Sequence, residues 1–262
     1  MRVAIVEPPV PRGSLTNRDL MGAMGIDSSL GVGLSANFIA VLKNEGTRMP
    51  VISLAYAAAI FERDGHDIAV FELARAASDE AALIATVAAF APDWIVCATS
   101  FAYLGAELRF CEAVRTASGA ARALVGGASA EFAKEIVERG LAEVVATGDP
   151  EVACEAIARG TLAPGQRGAV MAGDDGAARL AGPGVHEDLD ALPRPAWDRF
   201  DRGSYRYFPL LKRTPFLTTL SSRGCPYLCR FCPYPVSQGA AFRGRSADAV
   251  ADELASLRAD FG

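Results

Sequence analysis

Three cysteines lie close together in residues 221–235, SSRGCPYLCRFCPYP, with the spacing C-x3-C-x2-C. Their thiolates stand on a segment that glycine and prolines shape into a loop, so they can surround one metal centre, and thiolates are the usual ligands of iron–sulfur clusters. In a four-iron cluster held by Cys225, Cys229 and Cys232 alone, one iron has no protein ligand. That open position can bind a substrate or a cofactor, as the open site of a catalytic metal does.

Two other interpretations of these cysteines stay open. Structural zinc prefers four ligands, usually as two spaced pairs, but the nearest further cysteine is Cys154, and the two histidines, His66 and His186, lie outside the segment. A group of buried structural cysteines is the third interpretation, although it does not account for the glycine and proline setting. We interpret the remaining cysteines, Cys97, Cys111 and Cys154, as core residues because a free cysteine packs as a small hydrophobe.

The composition argues against several classes of function. The chain has 31 acidic and 26 basic residues, interspersed, and no basic stripe indicates a nucleic-acid partner. No apolar run reaches the roughly eighteen residues that predict a membrane span, and Glu7 and prolines interrupt the apolar start, unlike a signal peptide. Six cysteines in such a chain predict a cytoplasmic protein, where clustered cysteines more often bind metal or do chemistry than form disulfides.

Strand and helix patterns alternate five times in residues 1–160. Such alternation predicts an α/β fold with a doubly wound, parallel, five-stranded sheet of the Rossmann type, covered by helices on both faces. The predicted strands are 2–10, 67–73, 94–100, 121–126 and 142–147. The predicted helices are 50–64, 78–91, 105–117, 130–139 and 150–159.

The connection formed by residues 11–49 is too long for an ordinary loop between a strand and a helix. It is rich in glycine and serine, and a short helix is considered at 37–43. Because it leaves the carboxyl end of the first strand, where open parallel sheets bind ligands, we expect it to cover a ligand. A plain surface insertion is the alternative.

Glycine, alanine and proline dominate the chain after the alternating region. Residues 169–172 and 178–181 flank the sequence GDDG and predict a hairpin. Residues 186–201 form an acidic, proline-containing connector, after which a second domain begins near Tyr205. Its predicted strand and helix are 216–220 and 246–257.

The cysteine segment resembles the signature of the radical S-adenosylmethionine (SAM) superfamily, in which an aromatic residue, here Phe231, precedes the third cysteine. The resemblance implies that the three cysteines bind [4Fe-4S], that SAM chelates the open iron through its amino and carboxylate groups, and that Phe231 lies near the adenine. It further implies that one electron from the reduced cluster cleaves SAM to a 5′-deoxyadenosyl radical, which abstracts a hydrogen atom from a small-molecule substrate. An external one-electron reductant of the flavodoxin or ferredoxin type is the implied partner, and Arg245 an expected SAM contact.

The sequence around this signature is similar to the radical SAM subgroup that carries an N-terminal cobalamin (B12)-binding domain. The similar segments are FRGRSADAVADEL at 242–254, LDALPRPAWDRFD at 189–201, DGHDIAVFEL at 64–73, GGAS at 126–129 and TGDPE at 147–151. The resemblance implies a cobalamin-binding-like Rossmann domain at 1–160, a linker at 161–204, and the first β/α unit of an incomplete (β/α)6 barrel at 205–262. We expect such a chain to be truncated within the barrel and not to turn over alone.

Small residues follow several predicted strands and let a large ligand approach the backbone, although any doubly wound domain has such residues. The predicted cobalamin contacts are Thr99, Ser100, Gly126, Gly127, Ser129 and Gly148. The sequence has no histidine between Met1 and Gly65, so the D-x-H-x-x-G motif that supplies a cobalt ligand in many cobalamin domains is missing. The lower cobalt ligand is therefore not expected to be a histidine from that position.

The resemblance predicts a cobalamin-dependent radical SAM enzyme that transfers a methyl group to an unactivated carbon or phosphorus centre. An oxidative cyclase of the magnesium-protoporphyrin ester type is an alternative, because it shares this architecture. A non-enzymatic alternative is an inactive fragment or a module that binds cobalamin or a cluster. No residue of the chain is assigned a direct catalytic role at this stage.

Overall fold

The structure is a computed structural model that describes residues 1–9, 16–18, 26–27, 47–72, 80–207, 211, 213–227, 229–232, 234, 239 and 241–262. Its strands are β1 Arg2–Glu7, β2 Thr16–Asn17, β3 Ile26–Asp27, β4 Thr47–Arg48, β5 Asp67–Glu72, β6 Trp94–Ala98, β7 Ala121–Val125, β8 Val144–Ala146, β9 Ala169–Ala172, β10 Ala178–Arg179, β11 Arg206–Tyr207, β12 Ser222–Arg223 and β13 Arg243–Gly244. Its α-helices are α1 Ile52–Arg63, α2 Glu80–Ala89, α3 Leu104–Ser118, α4 Gly127–Glu131, α5 Ala133–Glu138, α6 Pro150–Ala158 and α7 Ala247–Phe261. Short 3-10 turns are Leu189–Ala191, Trp197–Arg199 and Arg202–Ser204.

A seven-stranded sheet with the order β10-β9-β8-β7-β6-β1-β5 forms the centre of the molecule. Its five strands from β8 to β5 pair in parallel, with Val3 opposite both Ile68 and Trp94, so the predicted doubly wound parallel sheet is confirmed. The predicted hairpin is also present, but it joins the sheet, because β9 pairs antiparallel with β8. The strand order reverses between β1 and β6, which is the point where open α/β sheets bind ligands at their carboxyl edge.

Alternate residues of β1 belong to two different cores. Val3 and Ile5 pack with α1 and α6, whereas Ala4 and Val6 pack with α2, α3 and α5. Helices therefore cover both faces of the sheet, as continuous apolar strands require. The connector after the hairpin adds the buried ring of Trp197 to the first of these cores, so this part of the predicted linker is packed.

Local sequence sets most of the helix ends. Pro150 is at the first position of α6, and Gly119 ends α3 with a left-handed φ of 75°. The Ser246 hydroxyl accepts a hydrogen bond of 3.1 Å from the Ala249 amide and so caps α7. The longest described helices, α3 and α7, have 15 residues, and among the described residues no helix has the length and apolarity needed to cross a membrane.

Two predicted elements differ from the structure. The helix predicted at 130–139 is two helices, α4 and α5, which part at Phe132, where the ring stacks on Phe101 at 6.3 Å between centroids. The strand predicted at 216–220 is wrong, since this segment has no strand pairing. A strand needs a neighbour for its backbone groups, and no described strand lies beside this segment; β12 pairs instead with β13. The helix considered at 37–43 lies outside the described residues.

Candidate functional site

A cavity of about 270 Å³ opens at the carboxyl edge of the parallel sheet. The first turn of α1, the loops after β7 and β8, and the residues around β12 form its walls. The lining residues that matter most below are Gly126, Gly127, Gly148, Ser222, Arg223 and Gly224. The cavity therefore lies between the Rossmann-type sheet and the start of the cysteine segment.

Backbone forms much of the cavity wall on the side of the sheet. Gly126 has a φ of 118°, and a Cβ there would lie 2.9 Å from the carbonyl oxygen of Thr99. Gly148 has a φ of 76°, and its Cβ would lie 2.2 Å from the carbonyl oxygen of Gly184. Both positions thus require glycine. Three of the predicted cobalamin contacts, Gly126, Gly127 and Gly148, are brought together in what we call the glycine wall.

The three predicted hydroxyl contacts differ from the expectation. Thr99, Ser100 and Ser129 are all buried, and none of them lines the cavity. Thr99 Oγ1 lies 2.9 Å from the carbonyl oxygen of Val125 and 3.0 Å from Ser129 Oγ, which also contacts the carbonyl oxygen of Gly126 at 3.0 Å. The Thr99 and Ser129 hydroxyls thus hydrogen-bond to the backbone at the carboxyl end of β7, and these bonds stabilise the glycine wall from the interior of the protein.

A buried carboxylate, Glu107, holds the neighbouring strand end. It accepts hydrogen bonds from the Ser100 amide at 2.6 Å and the Ser100 hydroxyl at 2.7 Å. Arg18 Nη2 donates to it at 2.9 Å, and Arg18 Nη1 donates to Glu7 at 2.9 Å. Burial lowers the pKa of Arg18, but the charges of Glu107 and Glu7 outweigh burial and raise the pKa above its usual value. Residue 18 of the predicted covering loop is therefore anchored at the carboxyl end of β1; no sequence pattern signalled this pair.

The cysteine loop leaves β12 through Gly224. This glycine has a φ of 79°, and a Cβ would lie 1.9 Å from the carbonyl oxygen of Ala241. The Cys225 and Cys232 side chains are half-buried, and Cys229 is exposed. Two backbone hydrogen bonds shape the loop: the Cys225 amide donates to the Gly239 carbonyl at 3.2 Å, and the Cys232 amide to the Cys229 carbonyl at 3.0 Å.

The donor chemistry of this loop fits an iron–sulfur cluster. Its three cysteines are free and at least partly accessible, whereas Cys97, Cys111 and Cys154 are buried in the core as predicted. In the described part of the chain, no group of three or more His, Cys, Asp or Glu side chains is arranged to hold a single metal ion. A cuboidal cluster takes each thiolate at a separate corner, so its ligands stand wider apart than those of one ion.

The glycine wall fits the approach of a large ring, since backbone rather than side chain faces the cavity. A volume of about 270 Å³ is below the roughly 300–1,000 Å³ of typical ligand pockets, so the cavity by itself would hold only part of a large ring. His66 lies at the other end of the sheet, where its Nε2 is 2.8 Å from the carbonyl oxygen of Ala158. It is therefore placed away from the cavity.

The two predicted SAM contacts have different surroundings. The Phe231 ring is 86% exposed beside the third cysteine, where a ligand can reach it. The Arg245 side chain is buried, and its Nη1 donates to Glu253 at 2.5 Å and to the carbonyl oxygen of Leu220 at 3.1 Å. Arg245 thus has partners within the protein, on α7 and at Leu220, and its role as a SAM contact stays a prediction.

Four charged residues join the cavity wall to the cysteine loop. Arg223 makes a bidentate ion pair with Glu151, at 2.7 and 2.6 Å, and its Nη1 lies 3.0 Å from Asp149 Oδ1. Arg243 also pairs with Asp149 and donates to the carbonyl oxygen of His186 at 2.8 Å. In the sequence, Asp149 and Glu151 lie in TGDPE, Arg223 lies in the cysteine segment, and Arg243 follows that segment. No sequence pattern indicated that these four residues make contact.

Comparison with known proteins supports this picture of the fold. No protein-family model matches the chain. The solved structure of TsrM, a radical SAM methyltransferase from Kitasatospora setae with cobalamin and a [4Fe-4S] cluster bound, aligns with a TM-score of 0.60 and 16% identity over 99% of this chain and 46% of TsrM. OxsB, a cobalamin-dependent SAM radical enzyme with aqua-cobalamin and SAM bound, aligns with a TM-score of 0.68 and 13% identity over 98% of this chain and 32% of OxsB. The chain therefore shares the fold of the aligned parts of TsrM and OxsB, in agreement with the resemblance of the cysteine motif and its flanks.

A protein that is similar in sequence is also named a methyltransferase. An uncharacterized methyltransferase of Pyrococcus horikoshii is 25% identical over 231 residues, which cover 85% of this chain and 49% of that protein. The chain thus spans about half the length of the curated relative that it matches.

Proposed function

We propose that this chain belongs to an enzyme that binds cobalamin and SAM and transfers a methyl group to an unactivated centre of a small molecule. Cys225, Cys229 and Cys232 would hold the [4Fe-4S] cluster, and Phe231 would lie near the adenine of SAM. Methyl transfer is favoured over oxidative cyclisation because the sequence relative and TsrM are both named methyltransferases. When bound, the cluster supplies an electron to SAM, and cobalamin supplies the methyl group.

One observation carries this proposal: the cavity is shared between the glycine wall and the residues that lead into the cysteine loop. Gly126, Gly127 and Gly148 let a flat ligand lie against backbone, and Ser222 and Gly224 place the first cysteine beside the same space. A ligand on the wall and a cluster on the loop would therefore be neighbours. Such proximity is what a reaction between two bound cofactors requires.

The chain's own residues have positioning and sheltering roles in this proposal. The buried hydroxyls of Thr99 and Ser129 keep the wall in shape, and Arg18 brings the long connection to the same edge of the sheet. Cys229 and Phe231 stand exposed, so the loop is open to SAM and to an external one-electron reductant of the flavodoxin or ferredoxin type. We place such a reaction in the cytoplasm, where thiolates stay reduced.

Anaerobic reconstitution with iron and sulfide tests the cluster. We expect about four irons per chain and a broad visible absorption, with nearly all iron lost in Cys229→Ala. The matched control is Cys154→Ala, which removes a thiol buried in α6 and should retain the iron. Failure of the wild-type chain to assemble iron and sulfide, or equal loss in both variants, would contradict the proposal.

Equilibrium dialysis against hydroxocobalamin tests the second cofactor. We expect about one corrin per chain, bound by wild type and by Cys229→Ala alike, because the glycine wall does not contain the cysteines. If the chain binds corrin but no iron, it acts as a cobalamin-binding module and the cluster part of the proposal is wrong. Iron without corrin would instead remove the cobalamin part of the proposal.

A further inference from the structure

We infer that Asp149, Glu151, Arg223 and Arg243, here called the charge quartet, fix the position of the cysteine loop relative to the glycine wall. This inference rests on the proposed function, since it assigns the quartet to the alignment of the two cofactor sites. The quartet acts as a positioning device, because its four side chains bind one another and would hold other groups in place.

The quartet links two parts of the chain that are remote in sequence. The bidentate pair of Arg223 and Glu151 joins residues 72 positions apart, and the pair of Arg243 and Asp149 joins residues 94 positions apart. Arg223 and Arg243 stand opposite each other on β12 and β13, so the antiparallel ladder couples them. Both arginines therefore act on the carboxylates as one unit.

The quartet is attached to both sites through very short stretches of backbone. Asp149 directly follows Gly148 of the glycine wall, and Glu151 lies in the first turn of α6. Arg223 is separated from Cys225 only by Gly224, whose conformation no other residue can adopt without a collision. A shift of the arginines would thus move the first cysteine with little slack.

Burial and charge balance make this connection specific. The side chains of Arg223 and Arg243 are 7% and 9% exposed, and that of Asp149 is 1% exposed. Two positive and two negative charges are enclosed together, so any sliding of the loop would leave a buried charge without its partner. A buried ion pair is a weak source of net stability but a strong constraint on arrangement, because breaking it is costly.

Two further contacts hold Asp149 in place, one through its carboxylate and one through its backbone amide. The backbone amide of His186 donates to Asp149 Oδ2 at 2.8 Å, and the Asp149 amide donates to the carbonyl oxygen of Gly184 at 3.0 Å. Asp149 is therefore held by the protein on one side while it holds the arginines on the other. The constraint therefore runs from the carboxyl edge of the sheet to the cysteine loop.

A distance measurement in the unloaded chain tests the inference without any cofactor. Spin labels are attached to Cys229 and to position 134 in a Lys134→Cys, Cys225→Ser, Cys232→Ser background. Both native side chains at the labelled positions are exposed, and Cys97, Cys111 and Cys154 are buried from the reagent. Pulsed EPR should give a narrow distance distribution that broadens at least twofold with Arg223→Gln.

The matched control is Arg122→Gln, which removes another buried arginine, paired with Glu112 and Glu143 within the first domain. It should leave the width unchanged. The inference is overturned by a width in Arg223→Gln as narrow as in the background, or by equal broadening in the control. If circular dichroism shows that Arg223→Gln does not fold, the width of the distance distribution is measured in Glu151→Gln instead, with the same expected and contradicting outcomes.

The loaded chain provides a second readout. With iron and corrin bound, the magnetic coupling between the reduced cluster and cob(II)alamin reports their separation, and we expect Arg223→Gln to weaken or broaden it while iron and corrin contents stay near wild type. Unchanged coupling would refute the alignment role. Failure of the wild-type chain to load iron refutes the proposed function itself, and the label widths still decide separately whether the quartet holds the loop.

Discussion

The carboxyl edge of the sheet and the cysteine loop are neighbours, but they are built in different ways. At the edge, Thr99, Ser100 and Ser129 are fully buried, and each hydroxyl has a partner inside the protein. On the loop, the Tyr227 and Phe231 side chains are 72% and 86% exposed. The polar groups of the edge are thus bonded within the protein, whereas the aromatic side chains of the loop are open to solvent.

This difference indicates that the two regions bind their ligands in different ways. A preorganised edge can hold a large ligand without reorganising, which lowers the cost of binding. A loop with accessible thiols can accept a cluster and then SAM. The charge quartet connects the edge of the sheet to the cysteine loop.

The largest effect should come from the buried carboxylate at the edge. We expect Glu107→Ala to lower the free energy of unfolding by about 4 kcal/mol, because Arg18 loses its buried partner and Ser100 loses its acceptor. Urea denaturation measures this. Glu135→Ala, which breaks an exposed pair with Arg139 on α5, should cost less than about 0.5 kcal/mol, and equal costs would remove the distinction between a built edge and the surface.

One substitution made in both regions tests the comparison directly. Gly148→Ala and Gly224→Ala each place a Cβ on backbone, at 2.2 and 1.9 Å, and at a positive φ. We expect about 3 kcal/mol of destabilisation from Gly148→Ala, since the packed edge cannot move aside, and about 1 kcal/mol from Gly224→Ala, since the exposed Ala241 can shift while Arg223 keeps its partners. Iron retention should show the reverse order, with Gly224→Ala losing more.

Two glycines serve as controls for the positive φ alone. Gly140 and Gly239 have φ values of 65° and 77°, and a Cβ at either would meet nothing within 4 Å. Gly140→Ala and Gly239→Ala should each cost about 1 kcal/mol and leave iron loading intact. A larger loss of stability from Gly224→Ala than from Gly148→Ala would reverse the comparison.

The last prediction concerns a stability difference that depends on pH. Burial raises the pKa of Asp149, but the hydrogen bond from Arg243 and the charge of Arg223 outweigh burial and hold the pKa below its usual value. A carboxylate with a lowered folded-state pKa stabilises the fold above its unfolded pKa of about 4, and this contribution disappears as pH falls through the folded pKa. Asp149→Asn should therefore cost about 2 kcal/mol at pH 7 and progressively less below about pH 4. A difference that stays constant down to pH 2.5 would contradict the ion pairing.

Much of the first domain could be predicted from sequence because its signals are local. The continuous apolar run of β1 and the glycine that ends α3 are signals from neighbours in the chain, and the strands and helices appear within a few residues of their predicted bounds. The segment 216–220 failed because an apolar run cannot show whether a partner strand lies beside it. The sequence could not show that Thr99 and Ser129 lie outside the cavity lining, because a strand-end hydroxyl has the same sequence pattern whether it faces a cavity or a backbone carbonyl.

The sequence by itself determined the parallel sheet, the cysteine spacing and the glycines of the wall, since each depends on residue type and short-range order. Only the tertiary structure decided that Arg18 reaches Glu107, that Arg245 turns to Glu253, and that Arg223 meets Glu151 across 72 positions. The physical reason is that charged partners are selected by distance in space, and periodicity along a chain carries no information about which of many arginines and carboxylates will be enclosed together.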